Sequence, residues 1–338
     1  MNRRAAATVL AVLTAAVALS ACGSKQDVTT TGGELERVDL VLDYLPNADH
    51  APIYAAQATG AFKAEGLDVR IRTPSDPAAP LKLVAAGQAD IAISYEPELL
   101  LARDKGARLA AIGALVQKPL TSIISLGGKV KAPKDLKGKK VGTAGIPYQS
   151  AYLKTIAKAN GVDPAQVHEI NVGFNLIPSM LSKKVDATLG AFWNIEGVQL
   201  QRQHKRPTII RMDQVGVPTY QELVFVADTD RLQEKGVGDV MRRFLQAVSR
   251  GAKAVKADPN VGADALVKAD SSLDRATQLA QVKATLPVFF PDDAAFPFGY
   301  MNADEWKAYG QWMVDNGLVK RLPTPTSLTN EFLPGRGI

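Results

Sequence analysis

The sequence predicts an α/β fold of two lobes with a ligand cleft between them. Strand candidates alternate with helix candidates, which is typical of sheets covered by helices. One βα unit occurs twice, and two proline-containing segments, Lys118-Pro119 and Val217-Pro218, mark where the chain would cross between lobes. The length of 338 residues is also that of about two domains.

The individual elements follow from apolar patterning. Short apolar or alternating runs predict strands, and longer runs with helical spacing predict helices. In chain order, the predicted elements are a strand at 37–42, a helix at 52–58, a strand at 68–72, a helix at 79–86, a strand at 90–94, a turn and strand at 133–142, a helix at 149–159, a strand at 167–172 and a helix at 240–255. This alternation predicts parallel sheets.

The repeated unit comprises residues 83–94 and 179–190. Each copy has a helix end, a tight turn, an aspartate (Asp90 or Asp186) and a short apolar strand. The similarity is either chance or the mark of two related lobes. Ligands of open α/β sheets bind beyond the carboxyl ends of strands, so we expect the residues after these two strands to face each other across the cleft.

The first residues predict export and lipid attachment. Two arginines precede an apolar run and small residues, as in a signal peptide at 1–21. The end of this segment resembles the bacterial lipobox, which predicts Cys22 as the lipidation site, although an ordinary signal peptide is the alternative. Residues 22–34 then form a flexible tether. The expected location is the outer face of the cytoplasmic membrane, reached by either the Sec or the twin-Arg route.

Residue counts exclude several classes of protein. With 40 Lys and Arg against 34 Asp and Glu, the chain is mildly basic and is not expected to have the clustered basic face of a nucleic-acid binder. Three His and one Cys are too few for a disulfide scaffold, a zinc ribbon or an iron–sulfur cluster. Dinucleotide, P-loop and HExxH motifs are missing from the sequence. We therefore predict neither an enzyme nor a bound metal or cofactor.

Histidines and one glycine-rich turn are weaker signals. His50 opens a helix and is interpreted equally well as a helix cap or a cleft residue, whereas His168 and His204 are expected on the surface. Gly142–Gly145 could hold an anion at a helix N-terminus, but a plain turn is the simpler interpretation.

Aromatic residues give the main signal for a ligand. Although only 6% of the chain is aromatic, four rings directly follow strand candidates, and polar residues lie beside them. The rings are Tyr44, Tyr95, Phe192 and Trp193, and the polar neighbours are Asp43, Glu96, Asn194 and Glu196. Core packing would explain any single ring. Rings beside carboxylates suit a planar ligand rich in nitrogen, whereas a sulfonate or phosphate would call for the Arg or Lys that these segments lack.

Several segments resemble a known family. They are LDYLPNADHAPIYAA at 42–56 and the segments at 74–77, 93–103, 110–117, 171–176 and 190–198. Together they are similar to substrate-binding proteins of ABC transporters of the thiamine-pyrimidine type. The family pattern often has Trp where this chain has Tyr44. The resemblance implies a periplasmic-binding-protein type II fold with a double crossover hinge, capture of ligand by lobe closure, and handover to an ABC permease with a cytoplasmic ATPase.

The repeated unit and the two proline-containing crossings set the expected lobes, and the resemblance sets the expected ligands. Lobe one is expected at 34–117 plus 222–338 and lobe two at 118–221, in a monomer. The expected ligand is a thiamine-pyrimidine precursor, such as a formylated or hydroxymethyl aminopyrimidine. Flavins and alkyl sulfonates remain alternatives, as do a sensor role and a synthase of the thiamine pyrimidine on the same fold. The Cys-rich motif of that synthase group is absent from this sequence.

The predicted ligand-binding residues combine both lines of reasoning. Tyr44 and Trp193 are expected to flank the planar ligand, with Tyr95 and Phe174 as further walls. Asn47, Glu96 and Glu196 are expected to bond its polar edge. Each has a structural alternative. Glu96 could cap the following helix, Glu196 could be a solvated helix residue, and Phe174 could belong to the core.

Overall fold

The computed structural model describes residues 34–335. The predicted signal peptide, Cys22 and nearly all of the tether lie outside the described residues. Within the described part, no helix combines the length and the apolar character needed to cross a membrane.

Ten strands form two five-stranded sheets. The strands are β1 (Glu36–Val41), β2 (Leu67–Arg72), β3 (Ile91–Ser94), β4 (Leu109–Val116), β5 (Thr121–Ser125), β6 (Lys140–Thr143), β7 (His168–Asn171), β8 (Ala187–Phe192), β9 (Thr208–Arg211) and β10 (Leu223–Asp228). The first sheet has the order β2-β1-β3-β10-β4 and the second the order β7-β6-β8-β5-β9. The α/β prediction of two related sheets is therefore confirmed.

Eleven α-helices accompany these strands in the described part. They are α1 (Ala51–Ala58), α2 (Ala61–Ala64), α3 (Pro80–Ala85), α4 (Glu96–Asp104), α5 (Pro147–Ala159), α6 (Leu176–Leu181), α7 (Val198–Arg202), α8 (Val237–Ala257), α9 (Pro259–Ala269), α10 (Arg275–Phe289) and α11 (Ala303–Asp315). Each predicted helix is present with ends shifted by at most three residues.

Both sheets are mixed, which corrects the prediction of parallel sheets. β10 runs antiparallel to β3 and β4, and β5 runs antiparallel to β8 and β9. Each of these strands follows one of the two segments by which the chain passes between the sheets. The pairing of such a strand depends on contacts distant in sequence, which local patterning does not encode.

The repeated unit has the same structural role in both sheets. Asp90 accepts a hydrogen bond from the backbone N–H of Asp39 in β1 at 2.8 Å. Asp186 accepts one from the N–H of Lys140 in β6 at 3.0 Å. In both units the preceding turn passes through the left-handed region, at Gly87 with φ 66° and at Lys183 with φ 60°. The two aspartates thus join neighbouring parallel strands, and the repeat reflects two related sheets.

The crossing segments are joined by one buried carboxylate. Glu222, which precedes β10, accepts hydrogen bonds from the N–H groups of Leu120 and Thr121 at 2.6 and 2.8 Å. It also accepts hydrogen bonds from the hydroxyls of Thr121 and Tyr220 at 2.7 and 3.0 Å. Four donors offset much of the cost of burying this group. Both crossings therefore share one hydrogen-bonded junction, while the proposed lobe limits of 34–117 plus 222–338 and 118–221 stay a prediction.

Aromatic residues fill the space behind this junction. The buried hydroxyls of Tyr152 on α5 and Tyr309 on α11 are hydrogen-bonded to each other. Trp312 lies against both rings, with centroids 5.9 and 5.7 Å away. The indole N–H of Trp306 donates to Gln221 at 2.7 Å. The helix α11 therefore packs against both the second crossing and a helix of the second sheet.

Candidate functional site

A cavity lies where strand ends of the two sheets meet. This inner cavity is narrow, with a volume of about 10 Å³. Its lining residues are Asp43, Tyr44, Asn47, Tyr95, Ala144, Ile146, Gln149, Leu176, Gly190, Phe192, Ile195 and Glu196. The first four follow β1 and β3, and the others come from the second sheet and its helices. Mostly apolar walls with a few polar groups are typical of small-molecule sites.

Asp43 organises the wall on the side of the first sheet. Its carboxylate accepts the hydroxyl of Tyr95 at 2.7 Å and lies 2.9 Å from Nε2 of His50. The backbone N–H of Asn47 donates to Nδ1 of His50 at 3.2 Å. Since Nδ1 accepts, Nε2 carries the proton and donates to Asp43. His50 thus supports Asp43 from behind and does not line the inner cavity, which resolves the two interpretations of this residue.

Glu196 is the principal polar group on the opposite wall. It lies on a π-helical turn, Trp193–Gly197, directly after β8. Its Oε2 accepts the backbone N–H of Phe192 at 2.7 Å. Burial raises the pKa of Glu196 to about 7, with a smaller contribution from the negative charge of Asp43, while backbone N–H donors oppose the rise. A carboxylate can accept several donors, so Glu196 can take a further hydrogen bond from a ligand.

Two rings from opposite sheets meet at the edge of the cavity. Tyr44 and Phe174 pack edge to face, with ring centroids 4.8 Å apart and planes at 66°. The Tyr44 hydroxyl reaches the carbonyl of Gly173 at 3.5 Å. Beyond this pair lies the outer groove, with a volume of about 590 Å³ between α6, α7, α10 and the α9–α10 loop. Tyr44, Asn47 and Glu196 line both spaces, so the cavity adjoins the groove at this pair.

Gln149 and Gly190 shape the floor, and sequence reasoning missed both. The buried Gln149 accepts the backbone N–H of Ala144 at 2.7 Å. Gly190 has φ 107°, and a Cβ there would lie 2.2 Å from Nε2 of Gln149. Only glycine therefore lets this amide lie across β8. The N–H of Ala144, which lies in the turn at Gly142–Gly145, is used for this internal bond, which favours a plain turn over an anion site.

A second polar cluster lies beside the cavity. Nδ2 of Asn194 donates to the buried carboxyl of Asp49 at 2.6 Å, and to the Thr285 hydroxyl at 2.7 Å. Burial raises the pKa of Asp49 well above its ordinary value, although the Asn194 bond opposes this. Asp49 follows β1 and Asn194 follows β8, so the cluster joins the two sheet regions.

Five of the seven predicted residues come together here. Tyr44, Asn47, Tyr95 and Glu196 line the inner cavity, and Phe174 lines the outer groove. The amide of Asn47 is also engaged internally, because its oxygen accepts the N–H of Asp49 at 2.8 Å and its nitrogen donates to Leu45 at 3.1 Å. Asn47 is therefore a helix cap that also borders the cavity.

Trp193 and Glu96 lie elsewhere in the structure. The indole N–H of Trp193 donates to the carbonyl of Pro119 at 3.1 Å, and the Arg211 guanidinium lies over its ring at 4.7 Å. Glu96 is buried and accepts the backbone N–H of Gln221 at 2.7 Å. Neither lines the inner cavity or the outer groove. Both contact crossing segments, and their predicted ligand contacts stay predictions.

Candidate metal ligands are not grouped in this part of the protein. Among residues 34–335, His, Cys, Asp and Glu do not form any cluster of three or more that could hold a metal ion.

Two partly buried carboxyls near the site predict a pH dependence of stability. Burial raises the pKa of Glu98 to about 7, as it does for Glu196. Between their ordinary value of 4.5 and about 7, the folded state binds more protons than the unfolded chain. The free energy of unfolding should therefore fall as pH rises through this window. Urea denaturation at about pH 5 and about pH 7.5 measures this. A double Glu98→Gln, Glu196→Gln variant should have a flatter profile, and an unchanged slope would contradict the assignment.

Comparison with known proteins first defines the class. The fold is that of periplasmic binding proteins. It matches the alkanesulfonate-binding protein SsuA from Xanthomonas axonopodis pv. citri with a TM-score of 0.63 and 16% identity, covering 88% of this chain and 99% of that chain. At this level of identity the likeness shows the fold alone.

The family follows from sequence. The family model described as NMT1/THI5 like matches residues 47–261, and the chain belongs to this family. It is 31% identical to a formylaminopyrimidine-binding protein of Halalkalibacterium halodurans, covering 90% of this chain and 92% of the relative. It is 25% identical to a 4-amino-5-hydroxymethyl-2-methylpyrimidine phosphate synthase of Legionella pneumophila, covering 88% and 92%. The resemblance predicted from the segments is confirmed.

Proposed function

We propose that this protein is an extracytoplasmic solute-binding protein that captures a small aminopyrimidine of the thiamine-precursor type for an ABC importer. The observation that carries the proposal is the carboxylate of Glu196 in an inner cavity walled by aromatic rings. An amino group on a flat heterocycle would donate to this carboxylate while rings contact its faces. The similarity to a formylaminopyrimidine-binding protein supports the same ligand class.

The charge of the lining supports a neutral or cationic ligand. The residues that line the inner cavity and the outer groove in the described part include Asp43, Glu196, Asp270 and Asp274, and none is Lys or Arg. A sulfonate or phosphate group would be repelled by these carboxylates and would lack a cationic partner. This distinguishes the proposed ligand from alkyl sulfonates and from phosphorylated pyrimidines.

A thermal-shift screen tests the proposal directly. We expect an aminopyrimidine to raise the melting temperature in a concentration-dependent way, because a ligand that binds only the folded state stabilises it. An alkyl sulfonate, a flavin and the pyrimidine without its amino group serve as comparisons. Stabilisation by the sulfonate alone would overturn the proposed ligand class.

The pair of Tyr44 and Phe174 gives a second prediction. Since the two rings close the edge of the cavity from opposite sheets, Phe174→Ala should weaken aminopyrimidine binding by roughly 1 kcal/mol and speed its release. Stopped-flow and calorimetry measure the two effects. Phe296→Ala is a suitable control, since this exposed ring lies outside the cavity and the groove. Equal effects of both variants would contradict the role of the pair.

A synthase is the second candidate, because several relatives, including the one from Legionella pneumophila, carry that name. The family therefore contains an enzyme as well as a binding protein. A synthase would supply the pyrimidine itself, so expression of the protein in a strain that requires the thiamine pyrimidine for growth separates the candidates. A synthase restores growth without added pyrimidine, whereas a binding protein does not.

Location and partners complete the proposal. Cys22 is proposed to carry the lipid, and an ABC permease with its cytoplasmic ATPase to accept the ligand. We expect Cys22→Ser to release the protein from membranes, since stable attachment requires lipid chains. Fractionation of parent and variant cells after a high-salt wash, which removes protein held only by charge, measures this, and full retention of the variant would contradict lipidation at Cys22.

A further inference from the structure

One end of the second sheet carries a concentrated positive charge. It comprises the loop between β5 and β6 and the turn before β8. The lysines there, which we call the lysine face, are Lys129, Lys131, Lys134, Lys137, Lys139, Lys140, Lys183 and Lys184. All are exposed except the half-buried Lys139. This face corrects the expectation that the chain has no clustered basic surface.

The lysine face lies at the end of the sheet opposite the candidate site. Lys140 begins β6, and the turn at 183–186 leads into the first residue of β8. The cavity residues Ala144 and Glu196 follow the carboxyl ends of the same two strands. None of the eight lysines lines the inner cavity or the outer groove. The face is therefore a separate surface from the ligand site.

The acids within this face neutralise little of its charge. Asp135 accepts the backbone N–H groups of Lys131 and Ala132 at 2.9 and 3.0 Å. Asp186 pairs with Lys129 at 2.5 Å and also accepts a backbone N–H. Within residues 34–335, the other seven lysines of the face form no ion pair. Their charge is available to an external partner.

The charge is also distributed unevenly along the chain. Residues 118–221 contain 15 Lys and Arg against 6 Asp and Glu, whereas residues 34–117 contain 8 against 12. The second sheet region is thus strongly positive and the preceding one negative. Such an imbalance orients a protein in front of a negatively charged surface.

We propose that the lysine face binds the surface of a membrane that contains anionic phospholipids. The face is formed by flexible lysines without arginine or aromatic rings, a composition that suits diffuse attraction to lipid phosphates better than base stacking or bidentate recognition. Several lysines near a charged bilayer act together.

The proposed lipid anchor places such a membrane within reach. This step rests on the proposed function, since Cys22 is its lipidation site. The 12 residues from Cys22 to Glu34 span at most about 40 Å when fully extended. A basic patch adds an electrostatic attraction to the attachment by lipid chains.

A permease is the less favoured partner of this face. A permease that responds to closure contacts both lobes, whereas the lysine face lies on the second sheet alone, away from the cleft. If the lysine face binds lipid, the strand ends that form the cavity lie at the opposite end of the sheet, away from the bilayer.

Vesicle binding tests the inference. The chain from residue 23 onward contains the whole compact unit that begins at Glu34 and avoids the leader. We expect it to sediment with phosphatidylglycerol-containing vesicles at about 0.1 M salt, less at high salt, and not with pure phosphatidylcholine. A variant with Lys131, Lys137, Lys183 and Lys184 changed to Gln should lose at least about tenfold in partitioning.

The matched control changes four exposed lysines elsewhere, Lys154, Lys158, Lys253 and Lys268, to Gln. It should bind vesicles like the parent, and calorimetry should show normal ligand binding in both variants. Equal losses in both variants would mean that net charge alone matters and would overturn the assignment to this face. If the lysine-face variant bound vesicles like the parent but supported slower import of the aminopyrimidine in cells, the permease would be the partner of this face and the lipid proposal would be overturned. If the parent protein itself did not bind an aminopyrimidine, that result would instead count against the proposed function.

Discussion

Glu196→Gln is expected to weaken aminopyrimidine binding about 10- to 100-fold, because a hydrogen bond to a charged acceptor is worth roughly 1.5–3 kcal/mol. The effect should be confined to ligands with the amino group, since the analogue without it makes no such bond. Calorimetry with both ligands measures the difference. Glu98→Gln is the matched control, because Glu98 also has a pKa raised to about 7 but does not line the inner cavity.

The same variant should remove a pH dependence of binding. In the free protein, the pKa of Glu196 is about 7. A ligand that donates to the ionised carboxylate favours ionisation, so binding releases a proton below that pH. Affinity should therefore rise with pH up to about 7 and level off above it, while Glu196→Gln should show no such slope. Falling affinity across this range in the parent would mean that the protonated acid binds the ligand.

Gly251→Ala is expected to destabilise the fold by about 1–3 kcal/mol or more. Gly251 is the point where α8 crosses α1, and a Cβ there would lie 2.0 Å from the carbonyl oxygen of Pro52 and 2.7 Å from the nitrogen of Ala56. These are backbone atoms, so the helices themselves must separate. The gain in helix propensity, roughly 1 kcal/mol, only partly offsets this strain.

Gly238→Ala is the control for that variant. Gly238 lies in the same helix, and its nearest neighbour would be the Phe332 ring at 3.1 Å, a side chain that can move. Chemical denaturation of both variants should show a large loss for Gly251→Ala and a small change for Gly238→Ala. Since α1 directly follows Asp49 and His50, the first variant should also weaken ligand binding. Similar stabilities for the two variants would contradict the close packing of α1 and α8.

The sequence predicted the fold class well because patterning is local. Strands such as β1 and β3, and helices such as α5, carry their own apolar period. The antiparallel placement of β5 and β10 was not predictable in this way, because each pairs with strands distant along the chain. Local patterns contain no information on which edge such a strand joins.

The site was predicted in part for a similar reason. Tyr95 and Glu96 are adjacent, as are Phe192 and Trp193, and the sequence pointed to all four. Each pair lies where a strand passes into a helical turn. Tyr95 and Phe192 line the cavity, whereas Glu96 and Trp193 face the crossings. Which member of each pair lines the cavity depends on the tertiary structure, which the local sequence does not specify.

The positions of the tryptophans have a practical consequence. All three of the chain lie at the crossings or behind them: Trp193 bonds Pro119, Trp306 bonds Gln221, and Trp312 packs on Tyr152 and Tyr309. None lines the inner cavity or the outer groove. We therefore expect intrinsic emission to report the proposed closure of the lobes and not contact with ligand. Stopped-flow fluorescence on the unlabelled protein would then follow closure, whereas calorimetry measures occupancy.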